Sequence, residues 1–203
     1  MRYLLTLTLL MTTVFLFGQS RKAFKKSIKA HRKAYMEDFL KEERSPIKNK
    51  KDLKYLKFYK AKRAYQVTAS FERTPQASSF DMATYSGVTK KYVKYGIASF
   101  ELNGKTYQLA IYQSTFLRKM EKYKDHLFLP FKDWTNGEKT YGGGRYIDLK
   151  MSDIQDGKVV LDFNKCYNPW CAFSDGYSCP IPPQENHLEV AIKAGEKNYG
   201  KKH

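Results

Sequence analysis

The hydrophobic period of this chain changes partway along, and that change limits the fold more than any other feature. From residue 64 onward apolar residues recur at every second position. Tyr65, Val67, Ala69 and Phe71 alternate with other residues, as a strand with one buried face requires. Further runs of this kind cover Ser78–Tyr85, Lys91–Leu102, Lys105–Gln113, Leu127–Phe131, Arg145–Lys150, Lys158–Phe163 and Leu188–Ala194. Asn103-Gly104 lies between two of them and supplies the paired positive φ angles of a type I′ turn, which predicts an antiparallel hairpin. Eight short runs separated by turn residues predict a mainly β fold: an antiparallel barrel or sandwich of about eight strands after one helix.

Before residue 64 the period is helical. Phe24, Ile28, Tyr35 and Phe39 are spaced by four, seven and four residues, so they share one face of a helix expected over Ser20–Glu43. Lys and Arg cover the opposite face. Ser45-Pro46 stops the helix, because proline pushes its preceding residue out of the α region. Leu53 and Leu56 add one short turn. The apolar stripe could dock on the β domain or lie on a membrane surface; docking is the commoner fate and is expected here.

The first residues have the layout of a signal peptide. Arg2 is followed by an uncharged, apolar run from Leu4 to Phe17, then by the small and polar residues Gly18, Gln19 and Ser20. A membrane span needs roughly 17–25 apolar residues, so this run is at or below the short end. Residues 1–18 are therefore read as a cleaved leader and residues 19–203 as one β-rich domain, with 19–63 a basic helical segment packed on it. The expected location is the periplasm or the exterior, with no transmembrane segment after cleavage. The charge is concentrated near the start: Arg21 to Arg63 holds seventeen Lys or Arg against five Asp or Glu, in a chain of net charge +17. For an exported protein nucleic acid is not an expected partner. Anionic phospholipid, lipopolysaccharide or acidic glycans are the polyanions within reach, and a solvated basic helix is the plainer reading.

Standard catalytic signatures are missing. There is no GxSxG elbow, HExxH helix, Walker loop or GxGxxG after a strand, so no cofactor or metal is expected. Gly142-Gly143-Gly144 reads as a tight turn before a strand. Two irregular segments, 133–145 and 164–186, are where a site would have to be. The second holds Cys166, Cys171 and Cys179, which allow three pairings in an oxidising compartment. Cys171–Cys179 is the pairing chosen here, leaving Cys166 free. Zinc held by Cys171, Cys179 and His187 fits no common spacing. Asp162, Asn164, Asn168, Glu185 and Asn186 flank the cysteines, and Asp162 ends a mostly apolar strand, so it needs a partner if buried. Arg145 is the expected partner. These groups form a buried polar network or line a pocket, and a pocket would be bounded by Tyr141, Arg145 and Asn168. A small ligand or an anionic envelope component is the expected partner of such a pocket. The alternatives are a hydrolase using Asp162 and Glu185, or a structural or interaction protein of the cell envelope.

The stretches TNGEKTYGGGRYIDL and VVLDFNKCYNPWCAFSDGYSCPIPPQENHLEVAIKAGEK, with Ser45-Pro46, Tyr95-Gly96, Phe100, Gly104 and Leu127–Phe131, resemble the bacterial and archaeal family catalogued as domain of unknown function 1684. The resemblance covers nearly all of the chain after the leader. It implies one undivided domain and no reaction. It adds Asp148 and Tyr167 to the candidates, alongside Tyr141, Arg145, Asp162, Asn164, Asn168, Glu185 and Asn186, and it includes Glu196. The family usually shows Ala where this chain has Cys166 and often Arg where it has His187. That weakens roles for both residues and supports the Cys171–Cys179 pairing.

Overall fold

A computed structural model describes residues 2–201, with side chains from residue 21 onward. The side chains of the expected leader, residues 1–18, lie outside that description. Helix α1 is Arg2–Lys41. The strands are β1 Gln66–Arg73, β2 Ser79–Met82, β3 Lys90–Leu102, β4 Lys105–Ser114, β5 His126–Phe131, β6 Arg145–Lys150, β7 Ile154–Gln155 and β8 Lys158–Asp162. All pair antiparallel in one sheet of order β6-β5-β4-β3-β1-β8-β7, with β2 added against β3. The fold is thus mainly β with one helix, and the sheet is not closed into a barrel.

Turn chemistry set the central hairpin. Asn103 and Gly104 have φ of 53° and 75°, and Leu102 faces Lys105. A second hairpin uses Asp156 and Gly157 at φ of 50° and 67°, joining the two-residue β7 to β8. β3 bulges between Lys94 and Gly96. A side chain at Gly96 would meet the Phe71 ring at 2.3 Å and the Glu72 carbonyl at 2.4 Å, so glycine is what lets β1 lie against the bulge.

The two-residue period sorts the side chains onto two faces. Leu109, Ile111, Leu127, Leu129, Phe131, Ile147 and Leu149 join Leu161 and Phe163 in the main core. Ala110, Tyr112, Phe128 and Tyr146 point the other way and pack with Met82 and Tyr92. A third cluster joins Phe39 of α1 to Ile47, Leu56, Ala172 and Phe173, and so holds the cysteine-rich segment against the helix. On α1, Phe24, Ile28 and Phe39 are buried while Lys22, Lys25, Lys26 and Lys29 are exposed.

One expected strand is absent. In Leu188–Ala194, Leu188, Val190, Ile192 and Ala194 are buried in alternation, as a strand would have them, yet no ladder forms. The segment is a strap whose main chain is satisfied elsewhere. Leu188 N–H donates to the Lys132 carbonyl and Trp134 N–H to the Val190 carbonyl. Ile192 N–H donates to Asp133 Oδ1, and the carbonyls of Ile192 and Ala194 accept from Arg145. Side chains occupy the place of a neighbouring strand.

Candidate functional site

β6 carries the sequence Arg-Tyr-Ile-Asp-Leu-Lys, and the pleat sends alternate residues to opposite faces. Arg145 shares the inward parity of Ile147 and Leu149 and is fully buried. Its partner is Asp133, with Nη2 to Oδ2 at 2.5 Å and both side chains fully buried. This corrects the expected pairing with Asp162. Arg145 also donates to the carbonyls of Ala194 at 2.5 Å, Ile192 at 2.9 Å and Glu196 at 3.2 Å, and so ties the strap to the sheet. Asp162 instead accepts from Gln66 Nε2 at 3.1 Å and from Asn164 N–H at 3.0 Å.

The three asparagines act as substitutes for main-chain partners. Asn164 exchanges hydrogen bonds with the Lys62 peptide, both at 2.9 Å. Asn186 accepts from Ala110 N–H at 2.7 Å and donates to the carbonyls of Ala110 at 2.8 Å and Pro130 at 2.7 Å. It bridges β4 and β5 where they share a single paired position, Tyr112 with Phe128. Asn168 donates to the Lys197 carbonyl at 2.8 Å, and its N–H donates to Glu196 Oε2 at 2.8 Å. Glu196, fully buried, also accepts from Tyr35 of α1 at 2.9 Å. Burial pushes its carboxyl up to about 8, against the hydrogen bonds from Asn168 and Tyr35 that favour the charged form.

A pocket joining Tyr141, Arg145 and Asn168 does not form. Arg145 and Asn168 are buried in the network, and Tyr141 is half-buried at the edge of Tyr85, with ring centroids 6.4 Å apart. None of the three lines the clefts on the outward face of β6, between β6 and β8, or along α1. Gly144, at φ of 94°, turns the chain into β6, and a side chain there would meet the Phe131 carbonyl at 2.7 Å. Cys166 is buried, its thiol raised to about 11 by burial, and it donates to the Ala194 carbonyl. A thiol so placed is a poor nucleophile. Cys171 and Cys179 sit side by side with Cα atoms 6.3 Å apart, within the reach of a disulfide. His187 Nε2 lies 3.1 Å from the Pro182 carbonyl. Among the described residues no group of three or more His, Cys, Asp or Glu side chains could hold a metal ion.

The outward face of β6 is different. Asp148 projects beside Tyr146 and Phe128 into a cleft of about 780 Å³. Seven aromatic side chains line it: Tyr92, Tyr123, Phe128, Tyr146, Tyr167, Trp170 and Tyr177. Asp148 Oδ2 accepts from Tyr167 Oη at 2.7 Å, and Oδ1 lies 3.0 Å from His126 Nε2. Burial, with the Asp148 charge beside it, holds the Tyr167 phenol well above its usual range, so the phenol stays a neutral donor. Burial likewise raises Tyr92 to about 12, and Tyr146 donates to the Pro180 carbonyl. Arg44 and Lys90 stand at the same cleft, and Lys90 donates to the Ser178 carbonyl at 2.6 Å. The arrangement offers flat apolar walls, one carboxylate that accepts hydrogen bonds, and two cations.

A second cleft, of about 720 Å³, lies between β6 on one side and β7–β8 on the other, with α1 along it. Asp38, Asp148, Asp153 and Asp162 line it, with His31 and Lys165. Burial and then Lys165 lower the His31 imidazole. Asp148 and Tyr167 belong to both clefts. Glu185 belongs to neither: it pairs with Lys94 at 2.5 Å and accepts from Tyr112 at 2.6 Å. Asp162 and Glu185 therefore share no partner and no cleft. Sequence reasoning missed His126, Lys90, Trp170 and Tyr177 in the aromatic cleft, and Asp133 in the network. His126 carried a usable signal, since it has the same strand parity as Phe128, which faces Asp148.

Residues 51–197 match the family model described as protein of unknown function, DUF1684. No curated protein matches the chain. A solution NMR structure of an uncharacterised protein of Haloarcula marismortui is similar at 32% identity and a TM-score of 0.66. The match covers 88% of this chain and 96% of that one.

Proposed function

We propose that this chain, which belongs to the DUF1684 family of proteins of unknown function, is an exported binding domain whose ligand is a sugar unit carrying an acidic group. The observation that carries the proposal is the aromatic cleft, in which the Asp148 carboxylate is held by Tyr167 and His126 among seven aromatic rings. Small-molecule sites are typically clefts of about 300–1,000 Å³ with apolar walls and a few placed polar groups, and this cleft has both. A sugar ring presents an apolar C–H face that packs on aromatic rings and hydroxyls that donate to a carboxylate. Lys90 and Arg44 supply the complement to an acidic substituent. Export is supported by the leader-like residues 1–18 and by the closeness of Cys171 and Cys179, which we read as an oxidised pair. We also read the sheet as a rolled one that stops short of a barrel at the acid-lined cleft, which β6 and β8 wall together.

Trp170 lines the cleft, while Trp134 is exposed outside it. In a Trp134→Phe background, Trp170 emission should shift when glucuronate is added and shift less with glucose. Asp148→Asn should weaken both sugars about tenfold, equivalent to about 1.4 kcal/mol, and Lys90→Met should erase the preference for the acid. If no acidic or neutral sugar changes the emission, or if Asp148→Asn leaves the affinity intact, the reading fails. The intact mass of the exported protein tests the rest. Processing near residue 18 and the loss of two thiol hydrogens are expected, and a mass retaining the leader and all three thiols would refute export.

A further inference from the structure

We propose that the groove between α1 and the short turn Lys50–Tyr55 is a site for one anionic phospholipid, separate from the aromatic cleft. The groove measures about 700 Å³. Met36, Leu53 and Phe58, each partly exposed, form its apolar floor, and Ile28 and Leu56 lie buried beneath them. Lys25, Lys26, Lys29, Lys33 and Lys54 stand around it with their side chains exposed. Of these, Lys33 has a carboxylate nearby, Glu37 at 3.7 Å, which is itself half in solvent. Among the described residues that line the groove there is no carboxylate. The half-buried Arg32 adds a cation, its guanidinium carbon 4.7 Å from the Phe58 ring centroid.

Two properties select the occupant. A ring of five lysines, with Glu37 beside Lys33 as the carboxylate named at its edge, attracts phosphate, as it would any polyanion. The floor narrows that choice, because a nucleic acid or a charged glycan would leave the apolar surface wet, whereas an acyl chain covers it. From residue 21 onward the helix cannot serve a membrane by burying its own stripe in the bilayer, since Phe24, Ile28 and Phe39 are already buried. The lipid has to come to the groove, with its chain on the floor and its phosphate among the lysines.

Short-chain lipids, used below the concentration at which they form micelles, test this without a bilayer. Calorimetric titration of the protein as the cell produces it should show binding of dihexanoylphosphatidylglycerol. Dihexanoylphosphatidylcholine, which has the same chains without net charge, should bind at least about tenfold more weakly. Glycerol 3-phosphate, the head group alone, should not compete. The Lys29→Glu/Lys33→Glu pair should cost about tenfold or more in affinity for the anionic lipid, with an unchanged far-UV circular dichroism spectrum and a cooperative unfolding transition showing that the variant is folded. Met36→Gln, which wets the floor, should weaken the same lipid. Equal binding of the neutral lipid, effective competition by glycerol 3-phosphate, or full affinity in the lysine pair would each overturn the proposal. The sugar titration and the lipid titration read different surfaces, so either can fail while the other stands.

Discussion

Arg145 and Asp148 sit three residues apart on one strand and have opposite fates. Arg145 faces inward, is fully buried, and is matched by Asp133 and three carbonyls. Asp148 faces outward with about half of its side chain exposed, at 49%, and is held by one phenol and one imidazole at the wall of two clefts. The comparison separates polar groups that build the protein from polar groups available to a ligand. A charge inside a core must be matched almost completely, because desolvation is costly. A charge at a cleft can keep hydrogen-bonding capacity in reserve. Residues that look alike in the sequence thus divide by the direction in which the pleat sends them.

The largest effect should come from the inward side. Asp133→Asn leaves the Arg145 charge buried without its counter-ion, and denaturant unfolding should show a loss of about 3–5 kcal/mol. A change below about 1 kcal/mol would mean that the carbonyls alone hold Arg145, and the contrast with Asp148 would collapse. An intermediate effect belongs to Glu196, which ties α1 to the strap through Tyr35. Its carboxyl is raised from an ordinary 4.5 to about 8 in the folded protein. Between those values the folded state holds a proton that the unfolded state has released, so this group makes stability fall as pH rises from about 5 to 8. The slope is at most about 1.4 kcal/mol per pH unit. Glu196→Gln should flatten that slope in unfolding curves measured across the range; an unchanged slope would place its origin elsewhere. The smallest effect should be on the outward side, where Asp148→Asn should change stability by under about 1 kcal/mol while weakening the ligand. A destabilisation as large as that of Asp133→Asn would make Asp148 a structural residue and leave the cleft without its polar foot.

Much of the architecture was legible in the sequence. Asn103-Gly104 marked the central hairpin because only a few residue pairs accept two positive φ angles in a row. Asp156-Gly157 is a signal of the same kind, but β7 is two residues long and shows no alternation to read, so the strand was missed. Leu188–Ala194 misled in the opposite way. Its alternation reports burial on one face, and burial was supplied by the main core without a neighbouring strand. The candidate site was partly legible. Asp148 and Tyr167 were named, and both line the aromatic cleft; Glu185, Asn164, Asn168 and Asn186 were named with them and are engaged elsewhere. His126 was missed because the expected strand began one residue too late, at Leu127.

The sequence by itself determined the direction of side chains along each strand, the place of the tight turns and the apolar stripe of the helix. These follow from the backbone pleat, from allowed φ angles and from helical spacing, all properties of a few consecutive residues. The tertiary structure decided the partners: Asp133 and not Asp162 for Arg145, Tyr35 of α1 for Glu196, and His126 for Asp148. A partner is chosen by which distant segments meet when the sheet curves and the strap closes over its core. That choice depends on the packing of the whole domain, and short-range pattern does not carry it.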